Sequence, residues 1–205
     1  SLLATWVMAP FLAFALSAAL NGLARSVAPK IGWVDKPDGG RKLHKKSTPV
    51  MGGLAFSLAM FGVVGVAALS GADWLLDPGT ARFATSLFSS AILFCALGVV
   101  DDRLALRPRT KLIGQFLASL PFALLANPIA FVRIVGIELD LGVAAVPFTI
   151  LWLVACSNVI NLIDGLDGLA ATVGSISLLT IAALFGLQQE AGAATVTLIA
   201  AASIL

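Results

Sequence analysis

Long apolar runs, broken only by short polar segments, recur from one end of this 205-residue sequence to the other. Nothing constrains its fold more. A helix needs about 20 mostly apolar residues to cross about 30 Å of hydrocarbon. By that ruler candidate spans fall at about residues 2–23, 49–70, 83–100, 110–127, 142–160 and 169–187. A seventh begins near Gly192 and is cut off by the end of the sequence at Leu205. Only 12% of the residues are charged and 59% are hydrophobic, against roughly a quarter charged in soluble domains. The expectation is an all-α polytopic integral membrane protein in the lipid bilayer, with about seven transmembrane helices in one domain over residues 1–205. Because the sequence starts at Ser1 and stops inside an apolar run, it reads as incomplete, truncated at the carboxyl end.

Polar loops are expected at about residues 25–48, 101–109 and 161–168. Pro29, Pro37, Gly39 and Gly40 supply turns in the first, and Thr110 is placed to cap the fourth span. From Val132 to Leu141 apolar and polar residues partly alternate. That strand-like period predicts a short extracytoplasmic β-hairpin. Cys95 and Cys156 lie in apolar runs and read as small packing residues. His44, the single histidine, cannot build a metal site alone.

The placement of charge sets an orientation. Loops of one parity hold Arg25, Lys30, Lys36, Arg41, Lys42, Lys45, Lys46, Arg103, Arg107, Arg109 and Lys111, eleven of the thirteen Lys and Arg, and leave Arg82 and Arg133 on the other side. By the positive-inside rule the amino terminus is outside and those loops are cytoplasmic. The same parity puts the basic loop, Asp101-Asp102 and the stretch from Asn158 to Asp167 on the cytoplasmic face.

That last stretch carries the chemistry. Asn158, Asn161, Asp164 and Asp167 follow one another at intervals of three residues. Three-residue steps rotate by about 300° on an ideal helix, so Asn158 and Asp167 would point in opposite directions. They can converge only if the helix unwinds near Asp164, where Gly165 and Gly168 permit it. Asp101, Asp102, Asp164 and Asp167 are hard oxygen ligands suited to magnesium, which prefers one or two carboxylates with waters and substrate phosphates. The plainer alternative is that they cap helices at the membrane edge. Adjacent Asp101 and Asp102 diverge by about 100° if helical, so one can face a metal while its neighbour faces a substrate or a lysine.

Between Lys36 and Lys46 five cationic side chains fall within 11 residues: Lys36, Arg41, Lys42, Lys45 and Lys46. Beside a membrane they suit phosphate, either of a substrate diphosphate or of lipid head groups; a bare topology signal is the alternative. Arg41, Lys42, His44, Lys45 and Lys111 are the substrate-binding candidates here, with Asn158 and Asn161. Gly52-Gly53 permits close backbone approach or tight helix packing. No P-loop is present.

Three motifs in order resemble the polyprenyl-phosphate N-acetylhexosamine-1-phosphate transferase family. They are Arg41-Lys42-Leu43-His44 through Thr48-Pro49 to Gly52-Gly53, then Gly98-Val99-Val100-Asp101-Asp102, and Asn158 to Leu169. The resemblance covers about residues 30–185, and the spacing between the Asp pair and the Asn/Asp stretch is closer to the N-acetylglucosamine-type branch than to the muramoyl-pentapeptide branch. It implies a bacterial inner-membrane enzyme with a cytoplasmic active face. Sugar-1-phosphate passes from a UDP-N-acetylhexosamine to undecaprenyl phosphate, releasing UMP, in the first membrane step of envelope polysaccharide synthesis. The metal is magnesium, sometimes manganese, on Asp167 with Asp164 or Asp102. Asp101, Asp102, Asp164 and Asp167 are the catalytic set, and Asp101 or Asp102 is often cast as a base. A homodimer is allowed for; a nucleic-acid partner is not expected. The family's later cytoplasmic His- or Arg-rich motif is not reached by Leu205.

Two readings compete. In an ion-coupled transporter, carboxylates sit mid-membrane on paired broken helices, whereas these cluster at the cytoplasmic ends of spans. An inactive fragment of the transferase is the other.

Overall fold

The computed structural model describes residues 2–35, 48–49, 51–126, 128–164 and 168–205. In chain order these form α1 (Leu2–Val27), β1 (Val34–Asp35), β2 (Thr48–Pro49), α2 (Gly52–Leu69), α3 (Asp73–Leu76), α4 (Pro78–Leu104) and α5 (Pro108–Leu125). Then come β3 (Phe131–Ile134), β4 (Ile137–Asp140), a 3-10 turn at Gly142–Ala144, α6 (Ala145–Ile163), α7 (Leu169–Leu187) and α8 (Ala191–Ile204). Backbone contacts gather them into two compact units, Ser1–Asp77 with Leu162–Leu205, and Pro78–Asn161.

Five stretches among the described residues are long and apolar enough to cross a membrane: Val7–Val27, α2, α4, Gly142–Ile163 and α7. Two expected spans are not among them. In α5 the first eight residues include Arg109, Lys111 and Gln115, which leaves too short an apolar stretch. The other is α8, the span expected to be cut off by the end of the sequence, which has 14 residues.

The first unit is built around α8, which packs against α1, α2, α3 and α7. Gly192, Ala193, Ala194, Ala200 and Ala201 keep it slim, and Val196 and Ile199 are wholly buried. Small residues let helices approach closely where lipid removes the hydrophobic drive to associate. Its buried hydroxyls satisfy themselves along the helix: Thr195 and Thr197 donate to the carbonyls of Ala191 and Ala193 at 2.9 and 2.8 Å, and Ser203 to Ile199 at 2.8 Å. Ser17 on α1 donates to the Ser203 carbonyl at 2.5 Å, tying α1 to α8.

In the second unit α4 and α5 run antiparallel. Asp101 meets Lys111, Leu97 meets Gly114, Ser90 meets Phe122 and Arg82 meets Leu125, so numbers rise on one helix as they fall on the other. At Gly114 an added Cβ would stand 2.6 Å from Leu97 Cδ1, so a larger residue would require the Leu97 side chain to move. The helix α5 opens earlier than expected. Its cap is Arg107, in extended conformation (φ −63°, ψ 143°), with Pro108 as first helical residue; proline suits that position because its missing N–H would be unpaired anyway. Thr149 of α6 takes the Ile129 N–H at 2.8 Å and donates to Ala145 at 2.8 Å, seating the loop ahead of β3.

The expected hairpin is present, Phe131↔Asp140 through Ile134↔Ile137. One face carries Phe131, Asp140 and the Arg133 to Glu138 ion pair, the other Val132, Ile134, Ile137 and Leu139. Its two-residue turn puts both Val135 (φ 50°) and Gly136 (φ 81°) in the left-handed region, the geometry that matches strand twist. A β-branched residue is strained there. Val135→Asn is therefore expected to stabilise the hairpin by about 1 kcal/mol, read as slower amide exchange in β3 and β4. Unchanged exchange would mean that the strain is absorbed elsewhere.

Candidate functional site

The helix α4 runs through Asp101 and Asp102 to Leu104, so the pair belongs to its last turn and not to a loop. Leu104 is followed by Ala105 at φ 47°, whose N–H returns to the Asp101 carbonyl at 2.8 Å. The Asp101 carboxylate organises the turn that leads on to α5. Its Oδ1 accepts the Leu106 N–H at 3.1 Å and its Oδ2 accepts Lys111 Nζ at 2.8 Å. Both side chains of this ion pair are about three-quarters buried (24% and 23% exposed). About 100° further round the helix, Asp102 is exposed.

Lys111 Nζ also lies 3.5 Å from Asn161 Oδ1, at the limit of a hydrogen bond. Four residues on, Gln115 faces Asn158: Asn158 Nδ2 donates to Gln115 Oε1 at 2.8 Å, and Gln115 Nε2 to Ser157 Oγ at 3.4 Å. Residues four apart on one helix and three apart on another share a face. So α5 and α6 are joined by two polar rungs, Lys111 to Asn161 and Gln115 to Asn158. Gln115 is the member that sequence reasoning missed; its place four residues after Lys111 was the signal that could have found it.

Of the other candidates, Asp164 is exposed, one residue beyond the end of α6. The helix α6 ends at Ile163, Gly168 adopts φ 77° and α7 starts at Leu169. Asp167 and Gly165 lie outside the described residues, as do Arg41, Lys42, His44 and Lys45. What the structure does give is the pairing of Val34 with Pro49 and Asp35 with Thr48, which joins the two ends of that basic stretch. Gly52 and Gly53 would each take a Cβ at 3.8 Å from its nearest neighbour, ordinary contact, so crowding among the described residues does not demand glycine.

Among the described residues no three His, Cys, Asp or Glu side chains gather as a metal cluster. The donors that remain exposed, Asp102 and Asp164, are oxygen ligands of the kind that suits magnesium. Cys95 and Cys156 are free thiols.

A sequence model described as glycosyl transferase family 4 matches residues 84–205. Over 167 residues the chain is 35% identical to the probable undecaprenyl-phosphate N-acetylglucosaminyl 1-phosphate transferase of Bacillus subtilis (strain 168), covering 80% of this chain and 44% of that protein. It is 34% identical to the phospho-N-acetylmuramoyl-pentapeptide-transferase of Enterococcus hirae, over 74% of this chain and 50% of the relative. The enzyme of the same name from Listeria welshimeri is 33% identical, over 75% and 50%. The chain thus spans about half the length of the curated relatives it matches.

Proposed function

The chain belongs to glycosyl transferase family 4, and from that premise we propose that it moves a sugar-1-phosphate from a UDP-sugar to undecaprenyl phosphate, releasing UMP. N-acetylglucosamine is the sugar we assign. The setting is the bacterial inner membrane, with the active face cytoplasmic and the amino terminus outside. The observation that carries most weight is the meeting of a carboxylate, an ammonium and an amide, Asp101, Lys111 and Asn161, inside the matched region.

In the proposed step an oxygen of the lipid phosphate attacks the phosphorus that bears the sugar. The bond from that phosphorus to the bridging oxygen breaks, and UMP departs with that oxygen and the electron pair. Such a transfer brings anions together, so it needs cations and positioning more than covalent help. Asp102, Asp164 and Asp167 would hold magnesium or manganese. Bound there, the metal supplies positive charge against the diphosphate. Lys111, with Arg41, Lys42, His44 and Lys45, would bind phosphate oxygens; Asn158 and Asn161 would orient the groups. No base is required, because a phosphate monoester with a second pKa near 6 is mostly dianionic at pH 7.

The test is formation of labelled lipid by membranes containing the protein, given undecaprenyl phosphate, magnesium and UDP-N-acetylglucosamine or UDP-N-acetylmuramoyl-pentapeptide. Label in the lipid from the first donor, abolished by EDTA, is the expected result. Product only from the second would move the assignment to the muramoyl branch. Folded protein that makes no lipid product from a panel of UDP-N-acetylhexosamines would end the transferase reading.

A further inference from the structure

We propose that Gln115 is a positioning residue which fixes the amide of Asn158 so that it offers the site an acceptor and never a donor. The proposal rests on the transferase reading for what the site does, but not for the geometry. The Val154 carbonyl can only accept, and an atom of the Asn158 amide lies 2.8 Å from it; that atom must be the nitrogen. The same nitrogen lies 2.8 Å from Gln115, which must therefore present its oxygen there and turn its own nitrogen to Ser157 Oγ at 3.4 Å. Both Asn158 hydrogens are then spent. Among the described residues its Oδ1 accepts nothing.

Gln115 is only 2% exposed, so water cannot replace either partner, and a hydrogen bond in so dry a place is strong and costly to break. The lock decides the ligand. An amide that shows only its oxygen repels a phosphate oxygen and receives an electropositive group: a divalent cation or its bound water, or the N–H of a nucleobase. Asn158 was expected to bind substrate; the network leaves only its oxygen to do so.

The experiment uses detergent-purified protein with Gln115→Leu, Asn158→Ala, the double variant and Gln115→Glu, which keeps an acceptor opposite Asn158. Readouts are kcat, KM for the UDP-sugar, Mn2+ affinity by electron paramagnetic resonance, and melting temperature. Gln115→Leu is expected to lower kcat/KM by roughly 10- to 100-fold, as loss of a supporting partner does. The double variant should match Asn158→Ala within about twofold, because residues acting through one group are not additive. Gln115→Glu should restore most of the rate. A fall in Mn2+ affinity identifies the ligand as the cation; a rise in KM with Mn2+ binding intact identifies the nucleobase. Losses that multiply, or a lower melting temperature with unchanged kcat and KM, would overturn the proposal. Should Gln115→Leu not fold, Gln115→Glu decides alone, and a loss equal to that of Asn158→Ala refutes it. If the unaltered protein makes no lipid product, the transferase reading fails by itself. Mn2+ affinity and melting temperature then complete the cycle, non-additive shifts supporting the lock and additive ones refuting it.

Discussion

Asp102→Asn is expected to cut the transfer rate by on the order of 100- to 1,000-fold, the usual cost of removing a group that offsets charge in the transition state. Asp101→Asn should cost less in rate. Asp101 is tied to the Leu106 N–H and to Lys111, so it shapes the α4 to α5 turn and aims an ammonium. An asparagine keeps an oxygen for Leu106 but loses the ion pair. A drop of about 10- to 100-fold, typical of an outer partner, should come with a lower melting temperature. The exposed carboxylate of Asp102 is the one of the pair that can reach a metal or substrate. Initial rates with labelled donor across magnesium concentration and pH would separate the roles. Uniform loss with weakened magnesium dependence favours metal holding; a residual rate that climbs with pH favours a base. Asp102→Asn within about threefold of the unaltered rate, a small fraction of the loss expected above, would remove Asp102 from the site.

Local rules carried far along this chain. Apolar length located α1, α2, α4, α6 and α7, and the two-residue period located the hairpin, because each signal is written in residues adjacent in sequence. The fourth expected span is not among the stretches long and apolar enough to cross a membrane, because Arg109 and Lys111 open α5, and Lys111 and Gln115 turn it toward α4 and α6 through polar contacts. A similar limit explains the end of α4. Asp101-Asp102 looks like the start of a loop, yet the helix runs on to Leu104 because Asp101 supplies acceptors to the turn beyond it. Rotation arithmetic separated Asp101 from Asp102, and it required a break near Asp164, where α6 ends at Ile163 and Gly168 adopts φ 77° before α7. It could not reveal that Gln115 spends both hydrogens of Asn158, since that depends on which faces of α5 and α6 meet. The basic stretch was legible only as charge, and its residues 36–47 lie outside the described ones.

Lys111 is where fold and proposed chemistry compete most directly, and Lys111→Met should expose both. It keeps most of the side chain's length and removes its charge, leaving Asp101 three-quarters buried (23% exposed) with the Leu106 N–H as its side-chain partner among the described residues. Exposed ion pairs contribute about 0–1 kcal/mol, and breaking a buried one costs about 3–5; an intermediate burial predicts a loss of about 1–3 kcal/mol, read as a fall in melting temperature. If the ammonium also meets a phosphate oxygen, the rate falls by a further factor on the order of 100. Lys111→Arg separates these effects. A guanidinium can restore the ion pair with Asp101, and with it most of the melting temperature. It spreads its charge over a planar fork where lysine offers one compact point, so the rate should recover only in part. Full recovery of both by arginine would make Lys111 a purely structural cation. A Lys111→Met protein that melts lower yet transfers at the unaltered rate would take the ammonium out of the reaction, leaving phosphate binding to the basic stretch and the metal.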